Sequence, residues 1–233
     1  MTEDEFWRDF GHIRGEVDRA IESFYTYLTI HATARENHEI SGALNRNPKF
    51  WNIQLYSLQT TFFITMGRIF DAGNDAHSVH KLVSSAISHP EFFSKESLAR
   101  RKADGANIRP DWLDDYLSDV FVPEIDHLRT IKKLLNSLKR KFDATCREIR
   151  TSIFAHGLTN DQQAVSVLFA KAEIVEIEGI LYVLHDLMLT LWHLYQNGRS
   201  LDFGRTTREY KDLIQNSTRD ALAEILLPPK LSK

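Results

Sequence analysis

The side chains whose types and spacing could do chemistry cluster between Glu124 and Arg150. From Arg129 to Arg150 the sequence places eight basic residues, Arg129, Lys132, Lys133, Lys139, Arg140, Lys141, Arg147 and Arg150, against two acidic ones, Asp143 and Glu148, a local charge of +6. On a helix, all of them except Lys141 fall within about 120° of one another, opposite an apolar face. A row of cations so arranged suits a phosphate backbone. The solvated outer face of an amphipathic helix carries the same pattern, and both readings stay open.

Metal chemistry has weaker support. Glu124-Ile-Asp-His127 has the Glu-x-x-His spacing of carboxylate-bridged di-iron bundles, which also need a second such pair and two further glutamates. No second Glu-x-x-His occurs in the chain, so a helix N-terminal carboxylate followed by a solvated histidine is expected. His77 and His80 could share zinc from one helical face, but a third ligand at suitable spacing is missing, with His89 only remote. Surface positions are expected for these two, and semi-buried ones for His185 and His193. Neither a metal nor a cofactor is expected.

The elements that must position the basic row are helices. Thr2 and Glu5 make a Thr-x-x-Glu capping box, after which Phe6, Phe10, Ile13, Val17, Ile21, Phe24 and Leu28 form one apolar stripe. The stripe fades through the polar stretch His31 to Asn47. Asn47-Pro48 opens a second helix, apolar most of the way round (Trp51, Leu55, Leu58, Phe62, Met66, Ile69, with Tyr56, Phe63 and Phe70 off the stripe), and expected to be the most buried. Asp71-Ala-Gly-Asn-Asp stops it, with Gly73 available for a left-handed turn. Shorter helices are expected over Ser78 to Ser88 and Glu91 to Lys102, broken at His89-Pro90, and one capped by Asp111.

Val122-Pro123 opens a long helix to about Ala155, with Leu128, Ile131, Leu135, Leu138, Phe142, Cys146, Ile149 and Ile153 on its apolar face. A short extended piece is conceivable only at Ala164 to Phe169. Ile174, Ile177, Leu181, Leu184, Met188, Leu191 and Tyr195 then alternate three and four up to a stop at Asn197-Gly198. Thr206 to Leu226 is a last, more polar helix. The fold expected is all-α, an antiparallel bundle of four to five long helices with additional short helices. Residues 1–227 form one domain, and 228–233 a short tail after Pro228-Pro229.

Bulk composition narrows the classes. The chain of 233 residues is 42% hydrophobic and 26% charged, as globular proteins are. Its net charge of −3 gives no global attraction to nucleic acid, so any such role must be local. Cys146 is the single cysteine, which excludes an internal disulfide and fits a reducing compartment. The acidic start and the charges and histidines that interrupt Ile174 to Tyr195 argue against secretion and membrane insertion, so a cytoplasmic protein is expected.

The basic row ends in Arg147-Glu-Ile-Arg150-Thr-Ser-Ile-Phe-Ala-His156-Gly157, and here the sequence resembles the HEPN superfamily, whose active members carry Arg, four to six residues, then His. The Ile-Phe-Ala-His-Gly ending looks like the abortive-infection U-type branch, and Phe50-Trp51, Ser57-Leu58 and Gly67-Arg68-Ile69-Phe70-Asp71 are similar to it as well. The resemblance spans roughly Lys49 to Tyr195. It implies a helical homodimer, a metal-independent endoribonuclease of an abortive-infection or toxin system, with RNA as substrate and an antitoxin or regulatory protein as partner. Arg150 and His156 are then the catalytic pair, and Arg147, Arg140, Lys139, Lys132 and Thr151 lie along the substrate.

The implied chemistry suits these side chains. A histidine can take the 2′-hydroxyl proton, while an arginine fork steadies charge building on the phosphate. Six residues turn an ideal helix by about 240°, which sets His156 on the apolar side. The site therefore needs a helix end near Ala155 or the other half from a partner subunit. Thr151 stands where many active members carry Asn, Asp or His. The alternative is a non-catalytic dimer of the same fold, a nucleotide- or protein-binding module, in which His156 covers the last carbonyls of a helix and Arg150 makes an ordinary ion pair.

Overall fold

In the computed structural model, residues 1–71, 73, 77–104, 109–146, 174–200 and 207–226 are described. Helix α1 (Glu3–Glu36) starts as its capping box dictates: Thr2 Oγ1 accepts from the Glu5 N–H at 3.2 Å, and Glu5 Oε2 accepts from the Thr2 N–H at 2.7 Å. The stripe from Phe6 to Phe24 is buried as expected. The polar stretch that follows is two helices broken at Asn37, which ends α1 and caps α2 (His38–Arg46) by accepting from the N–H groups of Glu39 and Ile40.

Helix α3 (Pro48–Ile69) packs along α1 but is not the most buried element. Its buried residues all lie between Phe62 and Ile69, while Phe50, Ile53 and Tyr56 are 55%, 62% and 51% exposed. Its first half has only a small cluster to lean on, in which Trp51, Leu55 and Leu58 meet Ile30, Ile40 and Leu222. An apolar circumference buries only the faces that have neighbours. Just past the helix end Asp71 Oδ1 accepts from the Gly73 N–H at 2.9 Å.

Helix α4 (Val79–Ser88) ends at His89, as the following proline requires. The expected helix from Glu91 to Lys102 is two pieces, a 3₁₀ turn (Pro90–Phe93) and α5 (Lys95–Lys102), because extended Ser94 caps α5 by accepting from the Ser97 N–H at 3.1 Å. Helix α6 (Leu113–Ser118) has Trp112 at its N-cap where Asp111 was expected. Helix α7 (Ile125–Thr145) opens two residues later than Pro123, after an extended Glu124. It buries Leu128, Ile131, Leu135, Leu138, Phe142 and Cys146 as its periodicity predicts. Ile149 and Ile153, the expected end near Ala155 and the extended piece at Ala164 to Phe169 lie outside the described residues.

Helix α8 (Ile174–Asn197) buries Ile177, Leu181, Leu184, Met188, Leu191 and Tyr195 from its predicted stripe, and also Ile180, Leu187, Thr190 and Leu194. Ile174 is exposed. Gly198 ends it at φ 54°. Helix α9 (Thr207–Leu226) lies against α1. The fold is all-α: the described residues form nine α-helices, and α1 contacts α2, α3, α4, α8 and α9. None of these helices is long and apolar enough to cross a membrane.

The N-terminus is fastened to the far end of α8. Arg101 donates to the carbonyls of Phe92 (3.0 Å) and Tyr195 (2.6 Å) and lies over the Tyr195 ring at 3.9 Å. Glu3 accepts from both Arg100 and Arg101.

Candidate functional site

Burial of one face of α7 dictates where its cations stand. Arg129, Lys133 and Arg140 are exposed opposite the apolar face, and Lys132 and Lys139 flank it, half-buried. Six cations on α7 (Arg129, Lys132, Lys133, Lys139, Arg140, Lys141) outnumber its two carboxylates, Asp126 and Asp143. Local pairs take some of this charge: Arg129 bonds Asp126 at 2.9 Å and Lys139 bonds Asp143 at 2.5 Å. Arg140 Nε donates to the Asn136 carbonyl at 3.4 Å. Arg147, Arg150, Thr151 and His156 lie outside the described residues.

Glu124 and His127 form a helix cap, since the Glu124 N–H donates to His127 Nδ1 at 3.0 Å. That bond occupies one ring nitrogen of the histidine suggested by the di-iron spacing. Among the described residues no group of three or more His, Cys, Asp or Glu side chains could hold a metal ion.

His77 and His80 part company, because the helix begins between them. His77 is exposed, 3.1 Å from Asp9 and edge-on to His12. It stands at a cleft of about 380 Å³ lined also by Asp9, Ile13, Lys81, Ser85 and His89. His80, expected on the surface, turns toward α7. Burial first, then the charges of Lys139 and Lys132, hold its imidazolium below the ordinary value, with Asp143 opposing. Its Nε2 is buried and has no hydrogen-bond partner among the described residues. The ring lies 6.3 Å from that of Phe70, which stacks on Phe142 of α7 at 5.2 Å. Phe70 at the end of α3 thus joins α4 to the second half of α7, the half that leads in sequence to Arg147 and Arg150.

His185 is semi-buried as expected, stacked on Tyr210 at 5.3 Å, and burial lowers its pKa. Burial beside Glu176 pushes the Cys146 thiol up to about 12, which makes it a packing residue and no nucleophile.

Sequence reasoning missed a buried carboxylate on α1. Glu16 shares a helix face with buried Ala20, yet accepts from Arg19 at 2.5 Å and from Arg68 Nε at 2.9 Å. Arg68 also donates to Thr65 Oγ1 at 3.3 Å. The available signal was an acid on the flank of an otherwise apolar stripe, which demands a cation from elsewhere. Arg68 of Gly67-Arg68-Ile69-Phe70-Asp71 is that cation.

The profile of the HEPN family AbiU2 matches residues 3–223, from the first residue of α1 almost to the end of α9. That is a longer match than the stretch of roughly Lys49 to Tyr195 in which the sequence motifs lie. No curated protein and no solved structure matches the chain.

Proposed function

Because the chain belongs to the AbiU2 family of HEPN proteins, we propose that it is a metal-independent endoribonuclease of an abortive-infection or toxin system, working as a homodimer. The observation that carries this reading is the basic face of α7, set opposite its buried face and leading in sequence to Arg147, Arg150 and His156. Lys132, Lys139, Arg140 and Arg147 meet phosphates of a single strand, with Thr151 beside the reacting group.

His156 takes the proton of a 2′-hydroxyl as its oxygen attacks the adjacent phosphorus. Arg150 stabilises the charge growing on the non-bridging oxygens through its planar fork. The bond to the 5′-oxygen breaks, that oxygen takes up a proton, and the products end in a 2′,3′-cyclic phosphate and a 5′-hydroxyl. Every proton moved has a carrier in the chain or in water.

We assign the dimer surface to α3. The α8 stripe is used inside the subunit, whereas Phe50, Ile53 and Tyr56 stand exposed along α3. Those side chains are the natural contact for a second copy.

The test is cleavage of a labelled RNA by wild type and His156→Ala in excess EDTA. Wild type cleaves and leaves cyclic-phosphate ends, and His156→Ala binds without cleaving. Equal cleavage by His156→Ala refutes the catalytic assignment. Binding without cleavage by wild type favours the non-catalytic module, to which Thr151 already points.

A further inference from the structure

Glu16 holds two arginines where one would satisfy it. Its side chain is 8% exposed, and Arg68, from the end of α3, reaches it with Nε and Nη2, both at 2.9 Å. A buried carboxylate needs a cation and hydrogen-bond donors, and Arg68 alone supplies both. Arg19, one turn further along α1, nevertheless places its Nη1 2.5 Å from the other carboxylate oxygen. Both arginines are 51% exposed, so neither is enclosed by the fold.

Two cations and one anion leave a net charge of +1, fixed on two rigid groups. Each guanidinium has five N–H donors. The contacts to Glu16 and Thr65 engage Nε and Nη2 of Arg68 and one Nη of Arg19. Nη1 of Arg68 and Nε and Nη2 of Arg19 make no hydrogen bond among the described residues. Both guanidinium groups converge on a single carboxylate, Arg19 at Oε1 and Arg68 at Oε2. Glu16 offsets one of the two positive charges, and an anion taken up by the donors left over offsets the other.

We propose that Arg19 and Arg68, both held by Glu16, form a fork that binds a phosphate group. Planar guanidinium donors suit phosphate oxygens, and the buried carboxylate fixes their orientation before the ligand arrives. Arg68 lies two residues before Phe70, whose ring stacks on Phe142 of α7. The fork and the second half of α7 thus flank the same end of α3, and the phosphate it takes is one of an RNA chain running on from the α7 cations. That identification of the phosphate as RNA rests on the ribonuclease reading above; the fork itself does not.

The experiment uses the full chain and two probes, inorganic pyrophosphate by titration calorimetry and a single-stranded RNA by fluorescence anisotropy over a range of salt. Arg19→Gln leaves the Glu16–Arg68 pair in place, so the fold keeps its buried carboxylate satisfied. Arg19→Lys keeps the charge without the fork. Arg14→Gln removes a cation from the same helix, one that pairs with Asp18 at 3.9 Å and has no contact with Glu16. Pyrophosphate affinity should fall roughly tenfold in Arg19→Gln, fall in Arg19→Lys as well, and hold in Arg14→Gln. The RNA arm should show the salt slope reduced by about 0.7 in Arg19→Gln, one phosphate contact on a single strand. No pyrophosphate binding by wild type, or equal losses in Arg19→Gln and Arg14→Gln, overturns the fork. A pyrophosphate effect without RNA binding by wild type keeps the fork and sinks the ribonuclease reading. An RNA slope unchanged by Arg19→Gln overturns the assignment of the phosphate to RNA.

Discussion

Gly198 lies so close to Val120 that a Cβ on the glycine would stand 1.6 Å from Val120 Cγ1. The same residue sits at φ 54°, and its carbonyl accepts from the Phe121 N–H at 2.7 Å. The end of α8 is thereby fastened to the segment that leads into α7, the helix bearing the cations.

Replacing Gly198 by alanine should therefore cost about 2–5 kcal/mol, from the left-handed backbone and from overpacking against Val120 and Leu98. Gly179→Ala, within α8 with nothing within 4 Å of its Cβ, should stabilise by about 0.5–1 kcal/mol. Urea denaturation of both variants checks the contrast. A neutral Gly198→Ala would mean that the close approach to Val120 is not maintained in solution.

His80 is held below its ordinary value of 6.5 by burial and by Lys139 and Lys132. The unfolded chain takes up this proton at higher pH than the native one. Its contribution to stability is thus present above pH 6.5 and is lost as the pH falls through the native pKa. His80→Gln should flatten the decline of stability below pH 6.5, leaving the part due to His31, His185 and His193, which shift the same way. Chemical denaturation at a series of pH values gives the two curves. Parallel curves would show that His80 is solvated in the native state.

The exposed row on α3 predicts the form of the assembly. Wild type at micromolar concentration should have the mass of a dimer, burying at least about 1,000 Å². Phe50→Glu with Ile53→Glu should give a folded monomer, since both side chains are more than half exposed within the subunit. Light scattering with circular dichroism decides it. A monomeric wild type would end this assignment, and a dimer untouched by the double substitution would move the interface elsewhere.

Local signals made much of the fold legible. Thr2 with Glu5, Asn47-Pro48, His89-Pro90 and Asn197-Gly198 mark helix ends through bonds made within a few residues, and these the sequence states directly. The three-four stripes of α1 and α7 predicted their buried faces because an amphipathic helix has one face to hide. The row of cations on α7 was visible for the same reason, and its position opposite the buried face followed. What tertiary structure alone decided were partners distant in sequence. An all-round apolar helix does not say which face finds a neighbour, so the exposed half of α3 was unreadable. The helix start expected at Ser78 does not say that His80 turns toward Lys132 and Lys139. The ion pair of Glu16 with Arg68 spans 52 positions, and no local pattern records it. Periodicity fixes which side of a helix turns inward; only packing fixes what that side meets, because burial energy is non-directional and the pairing of charges is not.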